Sequence, residues 1–318
     1  MKKPRFVLHD WSQIERPTIA QLIERGMQEA MLPGARAFGR SKVYTMRILQ
    51  RSHIGSIVAC DLKAMDVVAH CRARKGAGIL PATLMHDYNA LRVILKTAKF
   101  LWDVEGISMD PLDKAKHTLD KEQLIGKSAP RDRRPTHDEM ERIATEAADR
   151  MKRKNVKIPL PAIFEFSYTS GRRISETCRL KWGDVDFDKR TCVVRDLKNS
   201  KGKGFHGVFP LLGRAWDIVM AQPRHSDDPN ERIFPYLSKS CGAAFREVCR
   251  KLGITNLRLH DQRRECFSRL FEEGYNVPEV AKVSLHTNPS ILLRTYTALR
   301  PEDLHLGPAA KRLLSFAR

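Results

Sequence analysis

The sequence predicts a mainly α-helical chain with a small β-sheet (α+β), divided into two domains. Three observations carry that prediction. Apolar residues recur at helical spacing through residues 1–125, the tract 126–135 lacks apolar residues beyond alanine, and two short strand-like runs flank a lysine-rich turn in the second part. At 318 residues the chain exceeds one typical domain, and its 42% hydrophobic content suffices for real cores.

Taking the elements in order, Thr18–Met27 and Ser41–Gln50 carry apolar residues every third or fourth position, the second with a basic opposite face. Asp61–Arg72 follows, and then the longest pattern, 81–98, opened by Pro81 at a position suited to a first helical turn. These four helices read as a small bundle, whose basic positions serve either as a solvated face or as a contact to DNA. Residues 126–135 (Gly-Lys-Ser-Ala-Pro-Arg-Asp-Arg-Arg-Pro) read as an exposed linker. Thr136 and Glu139 then match a capping box, so a new domain is expected over 136–318. Within it, Ile163–Tyr168 reads as a buried helical segment ended by Thr169-Ser170-Gly171. The strand-like runs 192–196 and 207–212 enclose the turn 197–204, and helices resume from about 238.

Lys+Arg 57 against Asp+Glu 37 gives a net charge of +20, which points to polyanionic partners, nucleic acid foremost. No apolar run approaches the ~18 residues of a membrane span. His9 and Asp10 interrupt the basic N-terminus before any signal-peptide core develops. The seven cysteines are odd in number and form no Cys-x-x-Cys, which fits a reducing cytoplasm, here beside the nucleoid, and neither a zinc site nor a disulfide framework.

The chemistry concentrates in four places: Ser170-Gly-Arg-Arg-Ile-Ser-Glu176, His260-Asp-Gln-Arg263, His286 and Tyr296. A phosphodiester under attack spreads charge over its non-bridging oxygens, which a planar guanidinium meets bidentately. Fixed Arg, Lys and His can stabilise that charge while a Tyr hydroxyl attacks, with neither metal nor cofactor. The order of these groups therefore reads as covalent cutting and rejoining of DNA through a phosphotyrosine. Arg173 is expected at a helix start, with Glu176 on the same face, either orienting a catalytic group or forming a structural pair. Arg172 is the rival, turned about 100° away on a helix. His260 and Arg263 lie one turn apart, so both can face one phosphate. Lys198, Lys201 and Lys203 can each reach a minor groove or protonate a leaving oxygen. Asn288 and Pro289 are expected to cap and open a helix carrying Tyr296.

In these boxes, residues 136–305 resemble the catalytic domain of the tyrosine recombinases, the phage integrase family. The family pattern is Thr-Gly-Leu-Arg-Ile-Ser-Glu, a β-hairpin lysine, His-x-x-Arg, Leu-Gly-His and a final Tyr. The helical first part resembles the family's core-binding domain. The resemblance implies that Arg173 and Arg263 clamp the scissile phosphate, that His260 and His286 donate hydrogen bonds or protons, and that Glu176 supports them. It makes Lys198 the general acid for the departing 5′ oxygen, with Lys201 in reserve, and Tyr296 the nucleophile that forms a 3′-phosphotyrosyl link. It further implies a homotetramer on two double-stranded DNA sites, and accessory bending or directionality proteins.

The chain departs from the pattern in three ways. Gln262 and Arg264 stand where Leu and His are usual, Leu285 replaces the glycine before His286, and Tyr296 lies ten residues beyond His286, one more than the family norm. On a continuous helix that extra residue would turn the phenol by about 100°, so the loop 287–290 is expected to absorb it. The resulting expectation is a site-specific recombinase of a mobile element. The alternatives are a sequence-specific DNA-binding protein of the same fold with decayed catalysis, and an enzyme resembling type IB topoisomerases. The weakly amphipathic tail 308–316 is expected to pack on a neighbouring subunit or on its own domain.

Overall fold

The computed structural model describes residues 11, 14–35, 37–129, 131, 133–197 and 205–296, with Tyr296 placed by its backbone. Lys198, Lys201, Lys203 and the tail 308–316 lie outside the described residues. The chain forms two compact units, Met1–Pro130 and Arg131–Arg318.

The first unit is all helical among the described residues: α1 (Ile19–Glu29), α2 (Arg40–Arg51), the single turn α3 (His53–Ser56), α4 (Ala64–Gly76), α5 (Pro81–Phe100) and α6 (Asp110–Lys121). Thr18 caps α1 and exchanges side-chain bonds with Gln21, while Pro81 opens α5 at a position where its missing N–H costs nothing. Leu22, Ile23, Met46, Leu49, Leu84, Leu91 and Leu95 form one continuous core. The single turn α3 and the longer helix α6 go beyond the four expected from the sequence, α6 being the substantial addition. Its charged sequence shows only Leu112, Ala115 and Leu119 to the core, too sparse a stripe to stand out before its partner α4 is known.

The second unit begins with α7 (His137–Met151), whose cap is the expected one: Glu139 N–H donates to Thr136 Oγ1 at 3.2 Å and Thr136 N–H to Glu139 Oε2 at 2.9 Å. There follow α8 (Leu160–Ser170), the turn α9 (Ile174–Thr177), β1 (Val185–Asp186), β2 (Thr191–Val194), β3 (Gly207–Pro210) and α10 (Arg214–Met220). The remainder is α11 (Ser238–Lys251), α12 (Asp261–Glu272), α13 (Val277–Ser284) and α14 (Pro289–Tyr296). The sheet is antiparallel in the order β1-β2-β3, with Cys192 opposite Phe209. The architecture is therefore mainly helical with a small sheet. β1 and α10 add to the sequence reading, being too short for a periodic signal. α8 is the apolar hub: Ile163 and Phe166 face the sheet and α10, while Leu160 and Phe164 face α7 and α11.

The stretch 126–135 differs from an exposed tether in its second half. Arg131 pairs bidentately with Asp261, and Arg134 lies between Glu265 and Glu272, at 2.7 and 2.5 Å. Pro135 is buried. Composition marks arginines as solvated by default; the acidic face of α12 that receives them is distant in sequence.

Candidate active site

The site is built on three chain crossings: the turn after α8, the start of α12 and the end of α13. The α8 helix ends at Gly171, whose φ of +63° is left-handed, and a Cβ there would lie 2.5 Å from the Phe267 ring. Glycine is therefore required both by conformation and by the close approach of α12.

That turn sends Arg172 and Arg173 in opposite directions. The Arg172 side chain has no exposure, lies with its guanidinium 4.6 Å from the Phe209 ring centroid, and donates to the Val283 carbonyl at 2.5 Å. Burial and the like charge of Arg263 push its pKa down to about 9, which leaves it a cation at neutral pH. Arg173, the N-cap of α9, keeps a third of its side chain exposed (34%) and donates to Glu176 Oε1 at 2.6 Å. Of the two arginines, Arg173 is thus the one open to a ligand. Glu176 is 2% exposed; burial raises its pKa, but Arg172, Arg173 and Arg263 outweigh that and hold it below the ordinary carboxylate range. A permanently charged carboxylate under three guanidinia fixes their positions and offsets part of their mutual repulsion.

Arg263 ties the crossings together. It is 2% exposed, donating from Nη1 to the Gly171 carbonyl at 2.6 Å and from Nη2 to the Ser284 carbonyl at 2.9 Å. The same Nη2 lies 3.4 Å from His286 Nε2, and the guanidinium stacks 4.7 Å from the Phe267 centroid. His260 is the N-cap of α12 and faces solvent. Partial desolvation, then Arg263 and Arg173, lower its pKa. His286 is half-buried, edge-on to Phe267, and burial followed by Arg263, Arg173 and Arg172 pushes its pKa down to about 3. Both imidazoles are neutral near pH 7 in the unliganded protein.

Leu285 replaces the family's glycine at a position that needs glycine-like geometry, φ 59° and ψ 29° at the C-cap of α13. A leucine there costs about 1–2 kcal/mol of backbone energy, partly offset by its side chain packing against the sheet cluster. The departure strains the turn without abolishing it. Beyond it, α13 stops at Ser284 and α14 starts at Pro289, with Ser290 N–H donating to Asn288 Oδ1 at 2.9 Å. The ten residues from His286 to Tyr296 are thus not one continuous helix, and α14 carries Tyr296. Of the expected site residues, the structure groups Arg173, Glu176, Arg263 and His286, puts His260 at their edge and Tyr296 on the helix that follows; Lys198 is not among the described residues.

Two contributions were not read from the sequence, which marked Arg264 only as a departure and passed over Ser284. Arg264, where the family has His, donates from Nη1 to the Thr295 carbonyl at 2.8 Å, one residue before Tyr296. Ser284 meets His286 through its hydroxyl. Their positions beside the boxes were the available signal. In the first unit, Arg40, Lys42, Tyr44, His86 and Asn89 line a groove between α2 and α5, with Tyr44 69% exposed. Among the described residues, no group of three or more His, Cys, Asp or Glu side chains is placed to hold a metal ion. No described helix is long and apolar enough to cross a membrane.

A buried arginine crossing beneath two histidines, on a mainly helical domain with a three-stranded sheet, defines a recognisable class. Residues 133–303 match the model of the phage integrase family, and the chain belongs to that family. A Haemophilus influenzae protein named by assignment as an integrase/recombinase is 26% identical over 295 residues, 91% of this chain and 75% of the relative. The shufflon-specific DNA recombinase of Escherichia coli is 30% identical over 178 residues, 56% of this chain and only 43% of that protein. The Tn1549 transposon integrase in complex with a circular intermediate DNA shares the fold at a TM-score of 0.66, with 18% identity over 91% of this chain and 98% of that one. A lambda integrase dimer bound to a COC′ core site gives a TM-score of 0.67, with 14% identity over 88% and 77%.

Proposed function

We propose that the protein is a site-specific DNA recombinase of a mobile element that cleaves and rejoins DNA through a 3′-phosphotyrosyl intermediate. The observation that carries this reading is Arg263, which joins the Gly171 turn, the end of α13 and His286 in one cluster with Arg173 alongside. Such a cluster is a preorganised cationic cradle, and its charge is worth most where water is excluded. A phosphodiester oxygen entering beside the exposed Arg173 takes a charge-assisted bond from it and reaches the remaining N–H groups of the buried Arg263 as the cradle closes on it, with His260 and His286 as neutral donors at the margins. Tyr296 attacks phosphorus, the bond to the 5′ oxygen breaks, and Lys198 supplies the proton that makes the 5′ hydroxyl; the phenol proton departs to water. The phosphotyrosyl link keeps the bond energy, so the reverse attack by a 5′ hydroxyl restores DNA without ATP. The basic groove between α2 and α5 supports a second DNA contact from the first unit. The expected assembly is a homotetramer on two DNA sites.

A nicked suicide substrate bearing the element's own attachment site tests the reading. A covalent adduct mapping to Tyr296, lost in Tyr296→Phe with binding retained, is the expected result. Arg173→Ala should likewise lose cleavage far more than binding. Specific binding by the wild type with no adduct would transfer the chain to the DNA-binding class with decayed catalysis.

A further inference from the structure

Ser284 occupies the place where the family pattern has the leucine of Leu-Gly-His, yet it is 1% exposed and carries a hydroxyl. That hydroxyl lies 2.8 Å from His286 Nδ1. It also accepts the His286 backbone N–H at 3.3 Å and donates toward the Ala281 carbonyl at 3.4 Å. The Ser284 carbonyl accepts from Arg263 Nη2 at 2.9 Å, so one residue holds both the arginine and the histidine of the site.

Donor chemistry bears on the hydrogen-bond roles at the ring. A guanidinium only donates, so with Arg263 Nη2 3.4 Å from His286 Nε2, that nitrogen presents its lone pair in the unliganded protein. The proton of the neutral ring is then on Nδ1, donating to Ser284 Oγ, whose own hydrogen turns to Ala281. A phosphate oxygen has no hydrogen to give, so a ring facing it must carry its proton on Nε2 instead. One proton leaves Nδ1 and one arrives at Nε2 through solvent, with no net change. A hydroxyl can follow this exchange by rotating to donate to Nδ1; a leucine could serve neither tautomer, and a carbonyl only one.

We infer that Ser284 is a positioning residue acting through His286, holding the ring in both neutral tautomers so that Nε2–H can be presented to a bound phosphodiester. The inference rests on the recombinase reading for its ligand, but the tautomer is measurable without catalysis. The charged and titratable groups bearing on the ring are Arg172, Arg173 and Glu176 from the α8–α9 side and Arg263 from α12.

The first measurement is the imidazole ¹⁵N shifts of His286 in labelled full-length protein, without DNA and with an attachment-site duplex carrying Tyr296→Phe protein. The expected result is a protonated Nδ1 without DNA and a protonated Nε2 with it. In Ser284→Ala the DNA-free ring, still facing Arg263, should keep its proton on Nδ1, whereas the DNA-bound ring should show averaged, unfixed shifts, and Ser284→Thr should restore the wild-type pattern. DNA-bound shifts in Ser284→Ala that match the wild type overturn the inference. The second measurement is single-turnover cleavage: Ser284→Ala should be slowed by up to about 100-fold, the low end of what a positioned proton donor contributes, with site binding nearly unchanged, and should cause no further loss in a His286→Ala background. An equal loss in both backgrounds would reduce Ser284 to a packing residue and overturn the inference. Failure of the wild type to form any adduct would sink the recombinase reading while leaving the tautomer measurement to decide this one.

Discussion

His286 makes the protein's stability depend on pH in a calculable way. Its folded pKa is pushed down to about 3, whereas an unfolded histidine titrates near 6.5. Between these values the unfolded chain binds a proton that the folded chain refuses, so stability is full above about 6.5 and falls as pH drops toward 3. Carrying the protein from about pH 7.5 to about pH 5 crosses roughly 1.5 units of that window, at about 1.4 kcal/mol per unit, or about 2 kcal/mol. One side of the ring borders solvent, where the arginine charges are screened, which reduces the expectation to about 1–2 kcal/mol. Urea unfolding at the two pH values, followed by far-UV circular dichroism, reads the difference in the wild type and in His286→Gln. The transition that His286→Gln displaces identifies the second unit. The wild type should lose about 1–2 kcal/mol more than His286→Gln on acidification, since other titrating groups, His260 among them, are common to both. Equal losses would refute the view that a neutral His286 sits in the field of Arg263, Arg173 and Arg172.

Three further outcomes follow from the packing around the site. Arg134→Met leaves Glu265 and Glu272 side by side without their cation and should cost about 2–4 kcal/mol; adding Glu265→Gln should recover part of the loss in the same urea experiment. Gly171→Ala forces a side chain into a left-handed residue and against the Phe267 ring, which supports both Arg263 and His286. It should cost about 2–5 kcal/mol and abolish adduct formation, and a thermal melt within about 2 °C of wild type would contradict it. Arg264→Ala removes the donor to the Thr295 carbonyl and should lower adduct yield about tenfold while sparing binding, with Arg264→Lys restoring part of the yield in a suicide-substrate assay.

Much of the site was legible because its residues belong to short local boxes. Gly171-Arg172-Arg173-Ile174-Ser175-Glu176 declares a turn, a cation and a carboxylate within one helical turn, and the Asn288-Pro289 pair marks the start of α14. Which arginine faces outward was a matter of direction: Arg172 and Arg173 are chemically identical neighbours, and only the packing of Phe209 and Val283 against the first decides for the second. The part played by Arg264, visible in the sequence only as a departure from the pattern, and the whole contribution of Ser284 were hidden for a related reason. Each acts on a group brought to it by a chain crossing, the Thr295 carbonyl from 31 residues away and the histidine already gripped by Arg263.

The sequence by itself determined the helical periodicities, the cap at Thr136, the excess of cations and the order of the reactive groups, because each is a property of neighbouring residues or of composition. Tertiary structure alone decided that Arg131 and Arg134 are clamped to α12 and that Leu285 bears the left-handed turn. It also decided that His286 is held neutral. Ion pairing, backbone strain and desolvation depend on distances between residues far apart in the chain, and those distances exist only once the helices have packed.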